Sequence, residues 1–67
     1  MTLTINGVVK ELQTSGPLTL SALLDTLGLA GKPVVVELNR EALSPSEFKI
    51  NLNNGDQLEV ITIAAGG

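Results

Sequence analysis

Chemistry in a protein needs a nucleophile, an acid–base pair, a metal-ligand cluster or a reactive chain end, and this sequence offers few of these. It has no Cys and no His, so a thiolate nucleophile, a disulfide and the commonest metal ligand are all missing. No Gly-x-Ser-x-Gly elbow is present to present an activated serine. The carboxylates Glu11, Asp25, Glu37, Glu41, Glu47, Asp56 and Glu59 show no clustering along the chain and read as a solvated acidic surface. Asn51-Leu52-Asn53-Asn54-Gly55-Asp56 has a faint likeness to a calcium loop, but its glycine falls one place early and the distal glutamate is missing. The glycines form no phosphate cradle. They sit at turns and at the end.

That end is the exception. With glycine at about 7% of an average composition, two in succession at a given place arise by chance on the order of 1% of the time. Gly66-Gly67 follows directly on Ile61, Ile63, Ala64 and Ala65 with no polar linker between. A tail leaving straight from an apolar strand reads as functional, and its only reactive group is the terminal carboxylate of Gly67.

The elements that must position this tail are few, because 67 residues make one domain at most. The expectation is a single domain over 1–67 with a flexible tail at 64–67. With no cysteine or histidine to staple it, stability rests on a compact aliphatic core, and Phe48 is the single aromatic residue. Four basic against seven acidic side chains give a net charge of −3. Lys10, Lys32, Arg40 and Lys49 are scattered, so neither a basic stripe nor an aromatic platform exists for nucleic acid. There is no signal-peptide pattern at the start, and no apolar run nears the ~20 residues that span a bilayer. A cytoplasmic location is the resulting expectation.

Thr2-Leu3-Thr4-Ile5 alternates polar and apolar side chains as a half-buried strand does. Asn6-Gly7 is the dipeptide of a two-residue hairpin turn, and a second strand is predicted from Val8 to Gln13. Lys10 would then share a face with Ile5, Val8 and Leu12, which requires an edge position. Leu20, Leu23, Leu24 and Leu27, spaced i, i+3, i+4, i+7, predict a helix of about 8–10 residues with four leucines on one face. Thr19 is its expected N-cap, Leu18 and Leu23 its staple, Gly28 its left-handed end and Leu29 the residue that folds back. Pro33 to Leu38 is the next strand, with Val34, Val36 and Leu38 on one face and Val35 and Glu37 on the other. Ser44-Pro45-Ser46-Glu47 has capping-box spacing with proline at the first helical position, predicting one short turn of helix. A brief strand is expected within Ile50–Leu52, a turn at Asn53–Asp56, and a last strand from Gln57 to Ile63. One helix on one mixed sheet of four to five strands is an α+β roll, with the first and last strands parallel at its centre.

In order and length, the chain resembles a known family. The resemblance is carried by Leu3-Thr4-Ile5-Asn6-Gly7, by the leucine-faced segment Leu18 to Leu29, and by Val34-Val35-Val36-Glu37-Leu38-Asn39. It is carried also by Asn54-Gly55-Asp56-Gln57-Leu58-Glu59-Val60-Ile61-Thr62-Ile63 and by Gly66-Gly67. Together they resemble the sulfur carrier (ThiS) family of thiamine (thiazole) biosynthesis, a ubiquitin-like β-grasp fold. Two departures are Arg40, where a glycine commonly follows the asparagine, and Ala64-Ala65 in place of bulkier or glycine residues.

The resemblance implies a carrier rather than an enzyme, with no cofactor bound to the chain itself. Gly67 is then the adenylation and thiocarboxylate site. An E1-like partner adenylates its carboxylate with ATP and magnesium, a cysteine desulfurase or other persulfide donor supplies sulfur, and thiazole synthase receives it. Gly66 serves passage through a narrow channel, since a residue without Cβ lets the backbone pass and bend. Ala64 to Gly67 extended reach about 13 Å. Along the last strand Leu58 and Val60 are expected to face the helix, which puts Ile61 and Ile63 near or on the opposite face close to the tail. Ile61, Ile63, Ala64 and Ala65 are the expected partner-docking residues, with a second layer of core as the alternative reading of Ile61 and Ile63. Two relatives of this reading stay open at the level of sequence: the small subunit of molybdopterin synthase, with the same tail chemistry, and a ubiquitin-like protein tag.

Overall fold

The computed structural model describes residues 1–63. Five strands form one mixed sheet: β1 (Thr2–Ile5), β2 (Val8–Glu11), β3 (Val34–Leu38), β4 (Glu41–Leu43) and β5 (Gln57–Thr62), in the spatial order β2-β1-β5-β3-β4. The helix α1 (Leu20–Thr26) and a 3-10 turn at Pro45–Glu47 complete the elements. The first and last strands pair in parallel at the centre, and the other pairings are antiparallel. This is the α+β roll that the pattern of elements predicted, in the β-grasp arrangement that the resemblance implied.

Local chemistry fixes the ends of each element. Asn6 and Gly7 take φ of 51° and 80°, so the β1–β2 turn has the twist that a two-residue hairpin needs. Lys10 lies opposite Leu3 on the core-side face, but β2 is an edge strand and all four of its residues are exposed. A charge on the inward face of an edge strand also discourages another strand from pairing there. In α1 the Thr19 hydroxyl accepts from the Ala22 N–H at 3.1 Å. The helix ends in a Schellman pattern. Gly28 has φ 77°, its N–H reaches the Asp25 carbonyl, and the Leu29 N–H reaches the Leu24 carbonyl. At Ser44 the Glu47 carboxylate accepts from both the backbone N–H (2.8 Å) and the hydroxyl (3.0 Å). These bonds hold its pKa below the ordinary glutamate value, the backbone bond being the larger cause.

The core is aliphatic. Leu3 and Ile5 of β1, Leu20, Leu23 and Leu24 of α1, Val36 of β3, Leu52, and Leu58 and Val60 of β5 form one buried cluster, with Phe48 packed partly against it.

Four expectations are corrected. The helix is shorter than predicted, at seven residues, because the Gly28 cap already takes up its last carbonyls. Leu27, the fourth of the leucine series, is the C-cap residue and is 39% exposed. The second strand stops at Glu11 rather than Gln13. Ile50–Leu52 is not a strand: only one bridge forms, between Thr19 and Asn51. Its backbone is committed to the helix entrance, where Leu20 N–H bonds the Ile50 carbonyl, Ser21 N–H the Phe48 carbonyl, and Leu52 N–H the Leu18 carbonyl. The Leu20 and Ser21 N–H groups are donors of the helix's first turn that otherwise have no partner. The fifth strand is β4, which Asn39 and Arg40 reach through a tight turn with φ of 49° and 73°.

Candidate functional site

The strand that leads into the tail lies at the centre of the sheet. β5 pairs with β3 from Leu58 to Thr62 and with β1 at Gln57 and Leu58. Side chains add pins. The Asn6 side chain accepts from Val60 N–H at 2.8 Å and donates to the Val60 carbonyl at 3.1 Å, so the hairpin turn clasps the strand. At its start, the Asp56 carboxylate accepts from Asn39 Nδ2 (3.0 Å) and Asn53 N–H (2.7 Å), while Asn39 Oδ1 accepts from Gln57 N–H (2.9 Å). Asp56 is thus a buried structural acid, at 9% exposure, and the expectation that all seven acids are solvated is corrected there. The cause is the tight Asn53–Asp56 turn, whose backbone donors a carboxylate satisfies.

Alternation along β5 then divides its side chains. Leu58 and Val60 face the helix and are buried, at 1% and 8% exposure, whereas Ile61 and Ile63 are exposed at 56% and 52%. Ile61 shares the outer sheet face with Gln57 and Glu59, since side chains two apart in a strand point the same way. The last pairing is held by backbone alone: Val34 is opposite Thr62, and the Ile63 N–H donates to the Pro33 carbonyl at 3.0 Å.

Register shows what else shares the outer face. Val35 is opposite Ile61, and Glu37 is opposite Glu59. Val35 is itself exposed. Glu37 and Glu59 line a shallow hollow of about 390 Å³ together with Thr4, Gln57 and Arg40. These residues were not singled out from sequence, and the expectation that the acids do not cluster is corrected for this pair. Twenty-one residues separate the two glutamates, so only the strand register brings them together.

Of the expected site residues, Ile61 and Ile63 are therefore exposed beside the origin of the tail. Ala64, Ala65, Gly66 and Gly67 lie outside the described residues. Among the described residues no group of three or more acidic side chains is placed to hold a metal ion.

The ThiS family model matches residues 3–67, which is nearly the whole chain. The chain belongs to the ThiS family. It is a family of sulfur carriers in thiamine biosynthesis, in agreement with the resemblance carried by the sequence. In structure, the chain is similar to the crystal structure of the thiamine biosynthesis protein ThiS from Geobacter metallireducens, with a TM-score of 0.83, 33% identity and full coverage of both chains. The solution structure of a thiamine biosynthesis protein from the same organism gives the same TM-score and identity, over all of this chain and 88% of that one. Among curated relatives, a thiazole synthase of Paramagnetospirillum magneticum is 38% identical over 68 aligned residues, which take in all of this chain but 20% of that protein. The uncharacterized protein ycf40 of Pyropia yezoensis is 42% identical over 64 residues, 94% of this chain and 87% of that one. The chain thus spans about a fifth of the length of the thiazole synthase and most of the length of ycf40.

Proposed function

We propose that this chain carries sulfur for the thiazole ring on the terminal carboxylate of Gly67. A carboxylate oxygen attacks the α-phosphorus of ATP in an E1-like partner, with magnesium, and pyrophosphate leaves. The terminal sulfur of a persulfide, supplied by a cysteine desulfurase or another donor, then attacks the acyl carbon and AMP leaves. A thiol reductant cleaves the resulting S–S bond to free the thiocarboxylate, which thiazole synthase consumes. ATP and magnesium belong to the partner, and the chain itself is a carrier and not an enzyme.

The observation that carries this reading is the division of β5. Its inward side chains anchor it in the core, its outward ones, Ile61 and Ile63, are free for contact, and the chain continues directly to Gly66-Gly67. The family match through residue 67 supports it, and so does the relation to a thiazole synthase. Ala64 and Ala65 extend the docking strip in this scheme, and Gly66 fits the narrow entrance to the partner's active site. Among the described residues no helix is long and apolar enough to cross a membrane; we assign the chain to the cytoplasm.

Three variants test the chemistry apart from the fold: deletion of Gly67, addition of one residue after it, and Gly66→Val. Changes at a chain end affect stability little, so all three are expected to keep the parent's circular dichroism and unfolding midpoint. None should form the acyl adenylate with partner, ATP and magnesium. The parent, given a sulfur donor and reductant, should gain the mass of one oxygen replaced by sulfur, mapped by fragmentation to Gly67. Sulfur acquired by the extended chain, or found elsewhere, refutes the reading.

A further inference from the structure

The chain contains two Asn-Gly steps, Asn6-Gly7 and Asn54-Gly55. This dipeptide carries a reaction of its own, in which the glycine backbone nitrogen attacks the asparagine side-chain carbonyl carbon. Glycine favours the attack because no Cβ obstructs the approach or the backbone rotation it needs. The fold restrains the two steps differently. At Asn54 the attacking nitrogen itself is engaged: the Gly55 N–H donates to the Thr2 carbonyl at 2.7 Å, and Asn54 Oδ1 accepts from the Thr2 N–H at 2.6 Å. At Asn6 the nitrogen is free, since among the described residues the Gly7 N–H has no backbone acceptor, and both residues are exposed. What restrains this step is the side chain, whose Oδ1 accepts from the Val60 N–H at 2.8 Å and whose Nδ2 donates to the Val60 carbonyl at 3.1 Å. The turn also leads into β2, an edge strand with all four residues exposed, where local opening costs least.

We propose that Asn6 is a site of spontaneous deamidation, and that its conversion unlatches the strand leading into the tail. The Gly7 nitrogen bonds to Asn6 Cγ, the Cγ–Nδ2 bond breaks, and ammonia leaves with the proton given up by the Gly7 nitrogen. Water then opens the cyclic imide at one of its two carbonyls. Opening at Cγ gives aspartate, and opening at the backbone carbonyl gives isoaspartate. Either product breaks the latch. A carboxylate keeps the acceptor for the Val60 N–H but has no N–H to donate. The Val60 carbonyl therefore loses this donor and faces a negative charge instead. Isoaspartate also adds a backbone methylene to a turn whose two residues are held at φ 51° and 80°, which displaces the carboxyl group from Val60. While the latch holds, the Asn6 side chain is not free to turn toward the Gly7 nitrogen, so the reaction runs through openings of the hairpin.

The full chain is held in warm, mildly alkaline buffer, folded in one sample and unfolded by urea in another, and sampled over time. Peptide mapping by mass spectrometry follows each Asn-Gly step, with fragmentation that tells aspartate from isoaspartate. In urea the two steps should convert at similar rates. In the folded chain Asn6 should convert ahead of Asn54, and about tenfold or more slowly than it does in urea. Hydrogen exchange then compares the Val60 amide in the parent, in the deamidated chain and in Asn6→Asp. Both altered chains should exchange about tenfold faster, the effect of one lost donor at the Val60 carbonyl. Asn54 converting first in the folded chain, or no conversion at Asn6, overturns the proposed site. Equal rates for Asn6 in the folded and unfolded samples, or parental Val60 exchange in Asn6→Asp, overturns the latch. If Asn6→Asp does not fold, Asn6→Gly keeps the left-handed turn without the side chain; faster Val60 exchange in that variant supports the latch, and parental exchange refutes it.

Discussion

Two leucines of one helical series provide a strong test of the packing argument. Leu23 and Leu27 belong to the same i, i+3, i+4, i+7 pattern, yet Leu23 is wholly buried and Leu27 is 39% exposed at the helix end. Leu23→Ala removes roughly three methylene-equivalents from water-free surroundings, at about 0.8 kcal/mol each. The cavity left behind raises the loss to about 3–5 kcal/mol. A domain of 67 residues has about 3–10 kcal/mol of stability in total, so the variant is expected to stand at the edge of unfolding at room temperature. With a urea slope near 1 kcal/mol per molar, its midpoint should fall by about 3 M or the transition should vanish. Leu27→Ala, by contrast, should cost less than about 1 kcal/mol, because little apolar area returns to water and alanine is the better helix former. Both follow from urea titrations monitored by circular dichroism. Equal losses for the two variants would refute the assignment of the core and with it the placement of the helix over β1, β3 and β5.

Two further substitutions address local structure. Arg40 sits at φ 73°, a conformation costing a side-chain-bearing residue roughly 1–2 kcal/mol; after the unfolded-state entropy of glycine is offset, Arg40→Gly should stabilise the chain by about 0.5–1 kcal/mol in the same titration. The lowered pKa of Glu47 means that its bonds to Ser44 stabilise the fold above the ordinary glutamate pKa, and that this contribution is lost as pH falls through the lowered folded value. Carboxyl chemical shifts followed against pH should give a midpoint below that of free glutamate. Ser44→Ala keeps the backbone donor, which is the larger cause, and should move that midpoint only part of the way back.

Most of the architecture is legible in the sequence because local signals and the global fold agree. Thr19, Gly28 and Leu29 mark the helix ends by chemistry alone, Asn6-Gly7 marks the hairpin, and the alternation from Gln57 to Val60 marks the buried face of β5. What escapes is whatever depends on partners distant in sequence. Residues 50–52 look extended, but they give their hydrogen bonds to the helix entrance. The β4 hairpin is hidden because Asn39-Arg40 adopts left-handed geometry without a glycine, and the bonds of Asn39 to Asp56 and Gln57 hold it there. The departure at Arg40 was the visible trace of that turn. Of the site, Ile61 and Ile63 were legible from strand alternation. Val35, Glu37 and Glu59 were not, since cross-strand register cannot be read from one strand.

The end of β5 explains why recognition and stability separate on this chain. Alternation of buried and exposed residues stops at Val60: Ile61, Thr62 and Ile63 are all exposed, although Thr62 falls on the helix side of the sheet. The strand therefore outruns the core and is held by its backbone pairing to β3. A substitution at Ile61 gives up little burial, and what it changes in stability is strand preference, whose whole range is about 1 kcal/mol. Ile61→Thr keeps a β-branched side chain and should unfold within about 0.5 kcal/mol of the parent. Ile61→Asp loses strand preference and adds a third acid beside Glu59, and should cost about 1 kcal/mol while remaining folded. Both should weaken binding to the adenylating enzyme, Asp more than Thr, because each removes an apolar contact at the point where the tail departs. Titration of the enzyme with each variant, beside urea unfolding, measures the two effects independently. Parental affinity in both variants would show that the enzyme does not touch this end of the strand, and unfolding of Ile61→Thr would show that Ile61 is a core residue after all.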